Sequence, residues 1–542
     1  MAEQRETLDV SDISLLYPDA DSLRRHMLGE EPGRLSHSTA EQLELYFMMD
    51  LKSCDFGSFF TCDPEVILYR QDTFRDLASH PELASVLNKM IPLLNDITEL
   101  RRMGSDSAAS TEAYLYSITE VELYTTLLDL LRDELLPLAP ELQSAAFVRF
   151  AERINILTGS EYYRNLNEEL RSLTSRVREI KSVTIGVNLD SQLKPERAGV
   201  LSMNNEPFKS GELLDKMLRL DFKNDDRTCI APLVPFRKGQ SDNQKTALQT
   251  AFNGAIGDVF KNSVRSWKKV IQHYVLENTD FLIRMMPEIE FVTKATELLV
   301  KLRDKGCPLC HPVIRPVSEK AFDARGLCNP IVAMKLDAPV VPNDFTFDED
   351  GMIYVLTGPN RGGKSVITCA VGIAFVMAQL GLPVCADSCV ISPCDEIFTH
   401  FPTGSEDTID KGRLGEECAR MAEIFEEVTE DGLVLLDESF SSTGSFEGAY
   451  IAAEVLEGFS MVRCRGIFST HLHDLAASVD RINETAIPKG GVRIDNLVAA
   501  IEKGSRSFKI LRERPDGKSY AKDIADKYGL SIEKIMMKVK AK

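Results

Sequence analysis

The sequence predicts a multidomain chain: a mostly α-helical N-terminal region with a small β insertion, then an α/β domain built on a phosphate-binding loop. Three observations predict it. Apolar residues recur at spacings of three and four through most of the first 180 positions. Beyond residue 306 the texture changes to short apolar runs alternating with helices. The string GPNRGGKS, residues 358–365, lies between an apolar run and a helical pattern.

In chain order, TAEQLELYFMMD opens a helical stretch. PEVILYRQDTFRDLASHPELASVLNKMIPLL and TEAYLYSITEVELYTTLLDLLRDELL continue it with amphipathic repeats and few glycines. KSVTIGVNLD and AGVLSMN flank the polar SQLKPER and read as a hairpin within a β insertion of about residues 182–240. Helices resume from about 245 to 305. CPLCHPVIRPVSEKAFDARGLCNPIV, dense in Pro and Cys, breaks the pattern and puts a boundary near 306, giving domains 1–305 and 306–542. After it, MIYVLTG, LPVCA, GLVLLDE and GIFSTH are expected as buried strands.

A chain of 542 residues is expected to hold two or three domains. Its formal net charge of -20 excludes a surface that is basic throughout, so any nucleic-acid contact must be local. Arg101 and Arg102, Lys268 and Lys269 beside Trp267, and the tail EKIMMKVKAK are the basic patches, each read first as a solvated helix face. The start MAEQRETLDV has no basic and apolar leader, and no apolar run is long enough to cross a bilayer. A cytoplasmic protein with no membrane partner is expected. Twelve scattered cysteines read as reduced thiols, not a disulfide framework. CPLCH matches the haem-attachment string of exported proteins and is set aside. Cys307, Cys310, His311 and Cys328 could supply zinc ligands, but the second pair lacks Cys-x-x-Cys spacing, so packing at a domain junction is preferred.

Gly358, Gly363, Lys364 and Ser365 fit G-x-x-x-x-G-K-[ST]. The glycines let backbone N–H groups approach phosphates, the helix N-terminus adds its positive end, Lys364 reaches the β and γ oxygens, and Ser365 ligates Mg²⁺. In LVLLDE, residues 433–438, a buried strand delivers Asp437 to the Mg²⁺ shell and Glu438 to the attacking water. In FSTHLHDL, His471 follows a strand and is placed to sense the γ-phosphate, whereas His473 reads as an ordinary polar residue.

These residues carry a resemblance. TGPNRGGKS, VVPNDFTF before it, ISPCDEIFTHF, LLDES and STHLHDL occur in the order and spacing of the ATPase domain of the MutS family of DNA mismatch-repair ATPases, over roughly residues 325–535. DGKSYAKDIADKYGL resembles the family's closing segment. YRQDTFRDL and the long helices are similar, more weakly, to its core and lever region.

The resemblance implies an ABC-type ATPase, using ATP and Mg²⁺, that dimerises so that each nucleotide lies between one subunit's phosphate loop and the other's signature helix. It implies DNA held by lever and clamp regions. By position, Gly358, Pro359, Asn360, Arg361, Gly362, Gly363, Lys364, Ser365 and Asn343 would bind nucleotide. Ser365 and Asp437 would hold the metal, Glu438 would serve the water, and His471 would act as a switch.

Three departures point to a divergent branch lacking the mismatch-recognition domain. No Phe-x-Glu wedge is visible at the N-terminus. The signature helix reads KGRLGEECARM, with Leu414 where a Ser hydroxyl is expected, so either Arg413, or failing that Lys411, supplies charge in trans, or both are solvated loop residues and the helix-end amides serve instead. Arg361 and Val366 stand where the family often has Met and Thr. The expected function is an ATP-dependent homodimeric clamp on mismatched, branched or distorted DNA, in repair or recombination. The alternative is a mechanical ABC-type ATPase acting on a protein or ribosomal partner.

Overall fold

The computed structural model describes residues 13–49, 56–106, 111–161, 163–168, 170, 181–193, 195–207, 209–210, 228–229, 276–336, 339–401, 412–502, 505–515 and 534–536. By their contacts they fall into two compact units that do not follow chain order.

The first unit takes in Ser85–Leu142 and Phe147–Met286. Its helices include most of Pro81–Asp106, then Thr111–Leu130, most of Ala145–Gly159, and Leu276–Arg284. Buried Leu87, Leu94, Val121, Leu128, Phe150 and Phe281 supply its core, as the amphipathic spacing requires. Arg101 is committed within this unit: its Nε lies 2.6 Å from Glu120 and its Nη1 2.7 Å from Asp280. The Arg101 charge of that patch is therefore neutralised by two carboxylates. Trp267, Lys268, Lys269 and most of the basic tail lie outside the described residues. The expected hairpin forms from β1 (Ser182–Leu189) and β2 (Pro195–Asn204), paired antiparallel. Further along, β3 (Lys209–Ser210) and β4 (Thr228–Cys229) make a short parallel pair.

The second unit contains Ser14–Ala84, Gln143–Ala146 and Pro287–Lys542. Its strands are β5 (Val313–Ile314), β6 (Phe322–Leu327), β7 (Asn343–Phe347), β8 (Ile353–Thr357), β9 (Ser388–Ile391), β10 (Ile397–His400), β11 (Leu433–Asp437), β12 (Arg465–Ser469), β13 (Ile494–Glu502) and β14 (Ser505–Leu511). Among the described residues they form a four-stranded sheet of order β5-β9-β6-β7 and a six-stranded sheet of order β10-β11-β12-β8-β13-β14. The first five strands of the larger sheet run parallel, and β14 closes its edge antiparallel.

A parallel sheet covered on both faces needs apolar strands, and β8 and β12 are buried at every position. One cover is the helix Lys364–Gln379, buried along most of its length and packed on β11 and β12. The other face holds a core of Phe398, Met421, Ile424, Val434, Leu456, Phe459 and Phe468.

Residues 14–84 are built into this α/β unit, as is the helix Met286–Asp304 from Pro287 on. Thr39 Oγ1 donates to the Ile397 carbonyl of β10 at 2.8 Å, and the Arg34 N–H to Asp395 at 2.7 Å. Arg70 is fully buried: it bonds the carbonyls of Leu16 (3.1 Å) and Phe59, and stacks over Tyr17 at 4.9 Å. A guanidinium can be buried only where fixed acceptors replace water, and these carbonyls do so for Nε and Nη1, whereas Nη2 has no hydrogen-bond partner among the described residues.

LPVCA is not a strand. Gly381 takes a left-handed φ of 82° and the Leu382 N–H returns to Met377, so the run is a buried exit from the preceding helix that touches Cys310 through Val384 alone. The strand expected there begins at Ser388.

Candidate nucleotide site

The carboxyl ends of β8, β11 and β12 converge, because the three run parallel with β12 between the other two. In open α/β sheets ligands bind outside this edge. Directly after β8, Gly358 adopts φ 139°, and an added Cβ would lie 2.7 Å from the Ala499 Cβ and 3.0 Å from its backbone nitrogen. Only glycine fits there. The loop turns through Pro359, whose carbonyl accepts the Gly362 N–H at 3.0 Å, with Asn360 and Arg361 exposed and Arg361 at φ 61°. Gly363 at φ 99° caps the following helix without a side-chain hydrogen bond. The first helical N–H groups are thus offered to an anion.

Lys364 is only 4% exposed. Its Nζ donates to the Gly358 carbonyl at 3.2 Å and sits 4.0 Å from Glu438 Oε1. Burial pushes this ammonium below the usual lysine value, opposed by Glu438 and Asp437. Asp437 ends β11, opposite Ser469 of β12. Burial raises its carboxyl above the ordinary aspartate value, while the Ser365 hydroxyl pulls it down, Glu438 pushes it up, and Lys364 and the Ser469 hydroxyl pull it down. Its Oδ1 is buried without a hydrogen-bond partner. An orphaned carboxylate oxygen next to a serine hydroxyl is a hard-oxygen donor set that fits Mg²⁺. Glu438 follows at φ 54°, its N–H donating to the Ser469 carbonyl at 2.8 Å, which turns the side chain out of the strand.

His471 is exposed two residues beyond β12, after Thr470, whose N–H is held by the Leu356 carbonyl at 2.9 Å. Asn343 has a different setting from the loop residues. Its amide donates to the Phe508 and Val341 carbonyls and its oxygen accepts the Ile510 N–H. It thereby pins β14 so that Phe508 lies 3.8 Å from where a Cβ on Gly363 would be. Arg413 opens the helix Arg413–Glu427, and Lys411 lies outside the described residues. Leu414 packs against the apolar core, which gives its side chain a folding role at that position.

One pair is not visible in sequence. His400, at the end of β10, has its Nδ1 2.6 Å from the hydroxyl of Ser439, the residue after Glu438. Burial, with Arg420, pushes the imidazole down to about 4, so it is neutral at physiological pH. The signal is one of register: β10 runs parallel to β11 with His400 opposite Leu436.

The zinc candidates do not assemble. No group of three or more His, Cys, Asp or Glu among the described residues is arranged to hold a metal. His311 lines a separate cavity of about 450 Å³ with Asp72, Arg75 and Ser144. No described helix is long and apolar enough to cross a membrane.

This fold and loop define an α/β phosphate-loop nucleotide-binding domain. Residues 354–537 match MutS domain V, and residues 62–305 match the MutS2 N-terminal domain. The chain belongs to the MutS family. It is 33% identical over 219 residues to the DNA mismatch repair protein Msh6 of Gallus gallus, covering 38% of this chain and 16% of that protein. It is 33% identical over 225 residues to the DNA mismatch repair protein MutS of Methanothrix thermoacetophila (40% and 25%). With the DNA mismatch repair protein MSH7 of Arabidopsis thaliana it shares 36% over 188 residues (31% and 17%). In each case the match spans a quarter or less of the relative's own length.

Proposed function

We propose that this protein is an ATP-hydrolysing, DNA-binding member of its family, in which ATP closes a homodimer and gates a clamp on distorted DNA. The observation that carries the reading is the convergence of Lys364, Ser365, Asp437 and Glu438 at one sheet edge, with Lys364 Nζ 4.0 Å from Glu438. In this reading Gly358 to Ser365 cradle the phosphates, and Asn343 holds the adjoining β14 edge in place. Ser365 and Asp437 would hold Mg²⁺, which when bound neutralises charge on the phosphate oxygens.

Glu438 orients the attacking water and accepts its proton. His471 reports on the γ-phosphate from the end of β12. Arg413, at the start of its helix, supplies charge to the other subunit's nucleotide, in place of the hydroxyl that Leu414 lacks. Residues 306–542 form the motor, with residues 14–84 and the helix Met286–Asp304 built onto it, and the helices between 85 and 286 with the β1–β2 hairpin serve as lever and clamp.

The test is ATP turnover with and without duplex, bulged and branched DNA over a range of salt. DNA is expected to stimulate turnover, most with distorted substrates, and the stimulation is expected to fall steeply with salt, since phosphate contacts release counterions. Turnover indifferent to every DNA overturns the DNA assignment and favours a protein or ribosomal partner.

A further inference from the structure

Strand β11 leaves the sheet through Glu438, Ser439 and Phe440, and this turn is held in an unfavourable backbone shape. Glu438 and Phe440 take φ of 54° and 60°. Residues with a side chain avoid that left-handed region, and two of them on either side of one serine persist there only where neighbours fix them. Each of the three residues is fixed by a different contact. The Glu438 N–H donates to the Ser469 carbonyl on β12 at 2.8 Å. Phe440 is buried in the apolar core, and its carbonyl lies so close to Gly448, on the helix Ser445–Val462, that a Cβ there would be 2.6 Å from it. Between them Ser439 is fully buried, and its hydroxyl meets His400 Nδ1, at the end of β10, at 2.6 Å.

Strands β10 and β12 flank β11, so the turn that carries Glu438 is pinned from both neighbours, by a backbone bond on one side and a side-chain bond on the other. The side-chain pin is itself anchored. On one side of His400, Thr399 Oγ1 donates to Thr39 Oγ1 at 3.3 Å, and on the other the Phe401 N–H donates to Gln42 Oε1 at 3.1 Å. A hydrogen bond from a strand end fixed at both adjacent positions can hold a strained turn in one orientation.

We infer that His400 is a positioning residue for ATP hydrolysis: acting through Ser439, it fixes the turn that aims Glu438 at the attacking water. The inference rests on the role proposed above for Glu438. The imidazole is neutral at physiological pH, because burial pushes it down to about 4, so it holds the turn without adding a charge to the site. Alignment of the reacting groups sets the rate, and a small misplacement of the base slows the chemical step. Nucleotide binding is separate from this pin. The phosphate loop follows β8, and β11 and β12 lie between β8 and β10.

The test is steady-state ATP turnover and fluorescent-nucleotide binding by the full chain for His400→Phe, Ser439→Ala, their combination and His400→Asn. Each single loss of the bond should lower kcat by about ten- to a hundredfold with nucleotide Kd unchanged. The double variant should be no slower than the slower single, since both substitutions break the same bond. His400→Asn, whose amide reaches the position of Nδ1 and can donate or accept, should restore most of the turnover. In a Glu438→Gln background, His400→Phe should cost nothing further, which a merely structural role would not produce. Parental turnover by His400→Phe beside a slow Glu438→Gln overturns the inference and leaves the role of Glu438 standing. So does loss of nucleotide binding in step with kcat, additive losses in the double variant, or a further drop in the Glu438→Gln background. Parental turnover by Glu438→Gln instead removes the role of Glu438 and the inference with it. If His400→Phe does not fold, Ser439→Ala alone and in the Glu438→Gln background decides by the same outcomes.

Discussion

Glu438→Gln separates nucleotide binding from chemistry at the proposed site. The substitution is isosteric, and the backbone at Glu438 is held by its N–H to the Ser469 carbonyl at 2.8 Å whatever the side chain. The only ion pair lost among the described residues is the one to Lys364 at 4.0 Å. With the Glu438 side chain 44% exposed, that pair is screened and contributes about 1 kcal/mol or less. Stability should therefore change little, and Lys364 keeps Asp437 as its counter-charge.

Turnover is another matter, because an amide cannot accept the water's proton. Loss of a positioned general base lowers rates by about 10²–10⁴-fold, or roughly 3–5 kcal/mol in the barrier. The assay pairs single-turnover ATP hydrolysis with binding of a fluorescent nucleotide and light scattering of the ATP complex. Retained binding, slow hydrolysis and a trapped dimer are expected. Turnover within threefold of the parent, or loss of binding together with turnover, refutes the role given to Glu438.

Three further outcomes follow from the same geometry. Gly358→Ala forces a Cβ to 2.7 Å from Ala499 at φ 139°, so nucleotide affinity should fall at least tenfold by titration, and unchanged affinity would show the loop is not held as described. Arg413→Ala and Lys364→Ala should each be nearly inactive, whereas mixing them should restore one working site per dimer; parental turnover by Arg413→Ala alone removes the role in trans. His311 and His400 have folded values near 4, against an ordinary value of 6.5, because burial disfavours their charged forms. Their stability contribution is present above pH 6.5 and is lost as pH falls toward 4, with the smaller share from His311, whose side chain is partly screened by solvent in its cavity. Glu288, raised to about 7 by burial, acts in the opposite sense and loses its contribution as pH rises through 7. Urea unfolding at pH 7.5 and 5 should show a shallower acid loss for His311→Gln, and an unchanged slope refutes the assignment.

What the sequence made legible is what the backbone itself enforces. A glycine at φ 139° and another at φ 99° flank a loop that tolerates few alternatives, so the motif and its strand–loop–helix setting coincide. LVLLDE likewise identifies itself, since four buried apolar residues must precede carboxylates that leave the sheet. LPVCA was misread because an apolar run of that length fits a strand and a buried helix exit equally well, and the deciding feature is the helix end formed around Gly381.

The attachment of residues 14–84 to the α/β unit could not be read at all. It rests on contacts such as Thr39 to Ile397, 358 positions apart, which no local periodicity encodes. The pairing of His400 with Ser439 is hidden for the same reason, since only the parallel register of β10 and β11 brings them together. Asn343 matched a family phrase, but the backbone groups it holds, one at Val341 just before β7 and two on β14, emerge only from the edge strand's path.

The central claim is that the edge formed by β8, β11 and β12 is a working ATPase site, and Mg²⁺-dependent ATP turnover by the full chain beside Lys364→Ala tests it most directly. Phosphate release by the parent, abolished by chelating the metal and lowered about 10²–10³-fold by removing the buried Lys364 ammonium, is the predicted result. A parent that neither binds nor hydrolyses ATP, or a Lys364→Ala protein that matches it, contradicts the account.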